Sequence, residues 1–205
     1  MENEELISEE FNEFTPLATL EEDIKDGKRT IYLKSILAES DVVNGNRRVY
    51  PKKVLKEAYD ELMARCNKQG QMPFGELEHA QTAKVNLERI ACVFPELIWE
   101  EDTGRIIGKA KFADTEAGRT AEGLAKSGFR LGFSTRAAGK VKPYHGPLTE
   151  DQNVVEVMPG LKIVSIDIVG TPSAPNAVSS VYYEGKDETL GKKTIKGKDL
   201  LDLLF

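Results

Sequence analysis

The stretch Phe129-Arg130-Leu131-Gly132-Phe133-Ser134-Thr135-Arg136 alternates strictly, as a β-strand does, and its two faces differ in chemistry. Phe129, Leu131 and Phe133 fall on one face, Arg130, Gly132, Ser134 and Arg136 on the other. The second face is too polar for a core and too sparse for a plain solvated surface. Gly132 leaves space beside the Ser134 hydroxyl, so another backbone can approach closely there. The pattern makes this strand the centre of a β-containing domain with a site on one face.

Upstream, Thr115 to Lys126 predicts a helix capped by Thr115 or Asp114, with Leu124 and Ala125 facing inward and Ser127-Gly128 ending it. That helix delivers the chain into the Ser134 strand. Further back, Asp102-Thr103-Gly104 is a tight turn between Leu97-Ile98-Trp99 and Arg105 to Phe112, and Val85 to Phe94 reads as another strand. Thr30 to Ala38 reads as a strand, and Pro51 opens a helix through about Cys66 with Val54, Leu55, Ala58, Leu62 and Met63 at helical spacing. Downstream, Gly139 to Gly160 is mostly loop. Leu161 to Val169 is a strand, apolar on both faces except for Ser165 and Asp167, and Gly170-Thr171-Pro172-Ser173-Ala174-Pro175 stops it.

Composition bounds the rest. A chain of 205 residues buries one good-sized core. Its 34 acidic against 28 basic side chains, a formal charge of -6, argue against a nucleic-acid or anionic-membrane binder. No apolar run approaches membrane-spanning length, and the acidic start Met1-Glu2-Asn3-Glu4-Glu5 is unlike a secretory signal. Cys66 and Cys92 lack metal-ligand spacing and read as two reduced thiols. Residues 1–29 form an acidic, flexible arm, 30–185 the folded domain, and 186–205 a flexible Lys/Gly-rich tail with a Leu-rich end.

A serine nucleophile needs a base, and the chain has two histidines. His79 ends the turn-like Gly75-Glu76-Leu77-Glu78-His79, while His145 sits in the loop segment Tyr144-His145-Gly146-Pro147. Asp167, among Val164, Ile166, Ile168 and Val169, is costly to bury without a partner. A histidine ring N–H would be one, Arg89 or a backbone amide another. Ser134, His79 and Asp167 together supply nucleophile, base and orienter for acyl transfer, with Arg136 on the same strand face to steady the oxyanion or hold a water that does so. Glu76, Glu78 and His79 could suggest a metal site, but a single histidine makes that weak, and no metal or cofactor is expected. The Gly-x-Ser-x-Gly elbow is absent because position 136 is Arg, so an α/β-hydrolase is excluded.

Taken together, Gly75-Glu76-x-x-His79, then Gly132-x-Ser134-Thr135-Arg136, then Asp167 to Pro175, resemble the prohead (capsid maturation) proteases of T-even-type tailed phages. Asn44 to Pro51 and Thr115-x-x-Gly118 match in character, and the likeness covers about Thr30 to Tyr183. The resemblance implies an α+β fold like that of the herpesvirus assemblin proteases, a mixed, mainly antiparallel β-barrel surrounded by helices. It implies Ser134 as nucleophile and His79 as base. Asp167 fits the T-even pattern as third member, whereas assemblins use a second histidine, for which His145 is the candidate. Thr135 stands where many relatives carry a second serine.

The implied activity is cleavage of phage scaffold or core proteins and major capsid protein precursors inside the assembling head, in the host cytoplasm, commonly after Glu. Self-processing would accompany it, with Tyr182-Tyr183-Glu184-Gly185 the first candidate site and Ile7-Ser8-Glu9-Glu10 the second. Leu37-Ala38-Glu39-Ser40 fits by residue type but follows a core strand. The oligomeric state stays open, a homo-oligomer included. A catalytically inactive, scaffold-binding assembly module is the alternative, and a full Ser134, His79 and Asp167 set argues against it.

Overall fold

The computed structural model describes residues 5–8, 19–25, 28–80 and 82–170. Glu9, Glu184, the segment from Thr171 to Pro175 and the tail 186–205 lie outside these described residues. Among the described residues eleven strands and two α-helices follow in order: β1 (Glu5–Ser8), β2 (Thr19–Lys25), β3 (Lys28–Glu39), β4 (Arg48–Val49), α1 (Lys52–Gln69), β5 (Phe74–Glu76), β6 (Ile90–Glu100), β7 (Arg105–Phe112), α2 (Glu116–Lys126), β8 (Gly132–Gly139), β9 (Val141–Pro143), β10 (Val155–Val157) and β11 (Lys162–Val169). The acidic arm thus contributes two strands, both paired with strands of the body.

The strands pair into three sheets, ordered β2-β3-β7-β6-β5, β1-β8-β11 and β4-β10-β9. Every named pairing is antiparallel except that of β4 with β10. The fold is therefore the expected α+β type with mainly antiparallel strands. Among the described residues the sheets remain open, and no closed barrel forms.

Two helices cover the sheets. α1 buries Val54, Leu55, Ala58, Leu62 and Cys66, the stripe that its sequence spacing predicts. It runs past Cys66 to Gln69 because the stop is Gly70, whose φ of 64° suits glycine and whose N–H closes the last turn on Asn67. In α2, Thr115 is the cap, its hydroxyl accepting from the Gly118 amide. The buried residues of α2 are Ala117, Gly118 and Ala121, while Leu124 is exposed at the rim. Small residues face inward because the helix lies close against β6: a Cβ on Gly118 would meet the carbonyl oxygens of Ala113 and Ala91.

Three further expectations are corrected. The chain around Pro95 is one bulged strand, β6, with a register shift between Val93 and Glu96; the proline that splits the sequence pattern sits where the ladder lacks a donor. Leu87–Arg89 is a 3₁₀ turn capped by Asn86 instead of strand. The alternation at 129–136 begins in the structure at Leu131. Phe129 is exposed and its amide closes the end of α2 on Leu124.

β8 is buried almost throughout. Phe133 packs its ring on Phe94 of β6, and Thr135 donates to the Leu37 carbonyl of β3, so this face joins the first sheet. The opposite face, with Ser134 and Arg136, is covered by Glu76, His79 and Thr82.

Candidate active site

β11 brings the first two groups together. Its register on β8 places Asp167 directly opposite Ser134 and Ser165 opposite Arg136, so four polar side chains share one sheet face. β5 supplies the third group by lying unusually close to β11. A Cβ on Gly75 would stand 1.8 Å from the Ile166 carbonyl oxygen, so only glycine permits this approach. The chain then bridges Leu77 to Ile168, and the Glu78 amide donates to the Ile168 carbonyl at 2.7 Å. Glu78 takes a φ of 61°, a left-handed conformation uncommon for glutamate, and its Oε1 accepts from the Gly170 amide. That turn aims His79 back over β8 and β11.

The three groups form one hydrogen-bonded chain. His79 Nε2 meets Ser134 Oγ, and His79 Nδ1 meets Asp167 Oδ2 at 2.8 Å. The other carboxylate oxygen of Asp167 accepts from the Glu76 backbone amide at 2.9 Å. Asp167 is fully buried and therefore has the partners that its apolar setting demands. Such an arrangement can remove the hydroxyl proton through Nε2 while the carboxylate holds the Nδ1 proton and stabilises the imidazolium that forms. Ser134 is 1 % exposed, so its hydroxyl is covered in this state.

Arg136 occupies a place other than the one expected for it. Its guanidinium is fully buried, with Nε donating to Ser165 Oγ, Nη1 to the Thr82 carbonyl and Nη2 to Glu76 Oε1 at 2.7 Å, and Nε lies 3.3 Å from Asp167 Oδ2. All three nitrogens are engaged beneath the Ser134–His79 pair, which leaves none facing a developing oxyanion. Glu76 is equally buried and also accepts from the Asn86 amide. Its Oε1 is thus shared between Arg136 and the following loop, while the Glu78 carboxylate accepts from Gly170. His145 is exposed in the loop after β9, apart from the other site residues.

Glu76 and Ser165 as partners of Arg136 are the contacts that sequence reading missed. A signal existed, since Ser165 and Asp167 are the two polar residues of an otherwise apolar strand. Nearby, Cys92 is fully buried, and burial followed by the charge of Asp167 pushes its thiol well above the usual range. Both cysteines are free and buried. A mainly apolar groove of about 590 Å³ lies between α1, β5 and β11, lined in part by Leu62, Met72, Phe74 and Ile166. Ser134, His79 and Asp167 do not line it.

This geometry can be set beside known proteins. Comparison with the curated proteins gives no match. The fold is similar to that of the bacteriophage T4 capsid assembly protease, gp21, with a TM-score of 0.66 at 21 % identity, covering 83 % of this chain and 99 % of that one. At that identity the likeness speaks for the fold. The family described as prohead core protein serine protease matches residues 8–186, a span that takes in every element from β2 to β11. By that match the chain belongs to the prohead core protein serine protease family.

Proposed function

We propose that this chain is a Ser-His-Asp endopeptidase that cuts scaffold and capsid precursor proteins after glutamate inside the assembling prohead, and that it also processes itself. The observation that carries the reading is the unbroken Ser134–His79–Asp167 chain built on paired strands. Ser134 Oγ attacks the scissile carbonyl as His79 Nε2 takes its proton, and the tetrahedral adduct collapses as the same proton passes to the leaving amine. Water, deprotonated by His79, then attacks the acyl-enzyme, and Ser134 recovers its proton as the new carboxyl product leaves. Asp167, held by the Glu76 amide and Arg136, keeps the imidazole in the tautomer that this cycle needs.

Self-processing draws support from β1. It runs antiparallel to β8 with Ser8 opposite Arg136, and its direction is from Gly139 towards Ser134. Substrates commonly reach a protein as an added edge strand, and β1 takes that position beside the candidate nucleophile. Between the two candidate sites this favours Glu9 over Glu184, both of which lie outside the described residues.

Mass spectrometry of the purified protein after incubation tests the proposal, alone and with co-expressed scaffold and capsid precursors. Ser134-dependent fragments ending at glutamate, including loss of residues 1–9, are expected. Trimming that persists in Ser134→Ala, or precursors left intact by the wild-type chain in assembled heads, would leave the inactive assembly module as the reading.

A further inference from the structure

Below the Ser134–His79–Asp167 chain lies a second layer of charge that the chemistry above does not use directly. Glu76 and Arg136 are both fully buried and pair at 2.7 Å, although taking two charges out of water is unfavourable for each. Replacing such a pair by apolar side chains is often neutral or stabilising, so stability alone is a weak reason for it. Its connections are more informative. Arg136 reaches Asp167 Oδ2, the oxygen that also meets His79, and it holds the carbonyl of Thr82 on the far side of the His79 turn. Glu76 reaches Asp167 through its own backbone amide and ties down Asn86 with its side chain. The pair therefore grips the third member of the site and both ends of the loop that carries its base.

We propose that Glu76 and Arg136 are positioning residues for the reaction, a buried ion pair that sets the orientation of Asp167 and His79 and the charge around the imidazole. The inference rests on the Ser134–His79–Asp167 reading and deepens it. Besides Ser134, Asp167 from β11 meets His79 directly, and four further charged groups are linked to it through Asp167 or through its loop: Arg136 from β8, Glu76 from β5, Arg89 from the 3₁₀ turn, whose Nε stands 3.8 Å from Glu76 Oε2, and Glu78 from the His79 loop itself. Cys92, on β6 behind Asp167, stays neutral. Two buried carboxylates thus face one buried guanidinium, with Arg89 half-exposed at the edge. Removing one partner changes that balance in a direction fixed by the partner's sign.

The full chain labelled with a fluorophosphonate provides the test, because the reagent reports the reactivity of an activated serine without requiring a peptide substrate. Second-order labelling rates are measured from pH 5 to 9, a range of about four units that brackets histidine titration, with the folded fraction checked by circular dichroism. Glu76→Gln keeps the side chain's shape and removes an anion, so its acid limb moves to lower pH. Arg136→Met removes the cation, so its acid limb moves to higher pH. Shifts of about one unit and rates lower by about 100-fold at the optimum are expected. Arg136→Lys retains charge without the fork, and its rate falls by about tenfold with the limb in place. Should Arg136→Met not fold, Glu76→Gln and Arg136→Lys decide the matter.

Wild-type limb positions and rates within twofold in folded Glu76→Gln and Arg136→Lys would overturn the positioning role alone. Rates that fall with the limbs in both Glu76→Gln and Arg136→Met unmoved would also overturn it, since a purely structural pair has that signature. Labelling absent from the wild-type chain, or surviving in Ser134→Ala, would instead overturn the Ser134 reading itself.

Discussion

Ser134, His79 and Asp167 are separated by 55 and 88 positions as measured from His79, yet they meet through one imidazole ring. Groups that act as a unit respond to substitution as a unit. Ser134→Ala and His79→Ala should therefore abolish precursor cleavage to similar extents, with the double variant no worse, as read from single-turnover rates. Asp167→Asn should lower kcat by about 10⁴-fold if the carboxylate sets the imidazole tautomer. His145→Ala should retain wild-type cleavage, because that ring is exposed in a loop apart from the site. An essential His145 together with a harmless Asp167→Asn would transfer the third role to a histidine of the assemblin kind.

Elements position these side chains through close backbone approaches. Gly75→Ala places a methyl 1.8 Å from the Ile166 carbonyl oxygen, a backbone atom that cannot swing aside, so β5 must separate from β11. The expected outcome is a lower melting temperature together with loss of Ser134 labelling at temperatures where the variant is still folded. The second effect arises because Glu76, Leu77 and Glu78 carry the register shift on to His79. Thr115→Ala should act on stability alone, costing about 1 kcal/mol in denaturant unfolding through loss of the α2 cap. A fall in labelling larger than the unfolded fraction would contradict that separation.

At the scale of the whole molecule, the site is sunk into the core, and its environment is coupled to folding. Cys92 is the clearest reporter. Burial holds its thiol neutral when folded, whereas in the unfolded chain it ionises near the ordinary thiol value of about 8.5. Its folded value is raised, so this contribution is complete below about pH 8.5 and declines as pH rises above it, with a limiting slope of about 1.4 kcal/mol per pH unit. Urea midpoints of the wild-type chain should therefore fall between pH 8.5 and 10.5, a range of about two units above the ordinary thiol value, more steeply than those of Cys92→Ala. Iodoacetamide should leave Cys92 unmodified until unfolding. Equal alkaline slopes in the two proteins would show that the thiol remains accessible to solvent.

Local alternation and spacing determined much of this protein from the sequence itself. They gave the Ser134 strand, the apolar stripe of α1, the Thr115 cap and the turn into β7, because each depends on interactions within a few residues. The candidate site residues were legible for a related reason, since a serine on a polar strand face and a carboxylate in an apolar strand are locally anomalous. What alternation could not carry was pairing between distant strands. The β6 bulge at Pro95, the inward face of α2 and the strands within the acidic arm all depend on which partner lies alongside. The site of Arg136 was decided in the same way. A strand face says which side a guanidinium points to, but only the approach of β5 to β11 puts a buried carboxylate there to receive it. Tertiary packing thus turned an expected oxyanion donor into the cation at the base of the site.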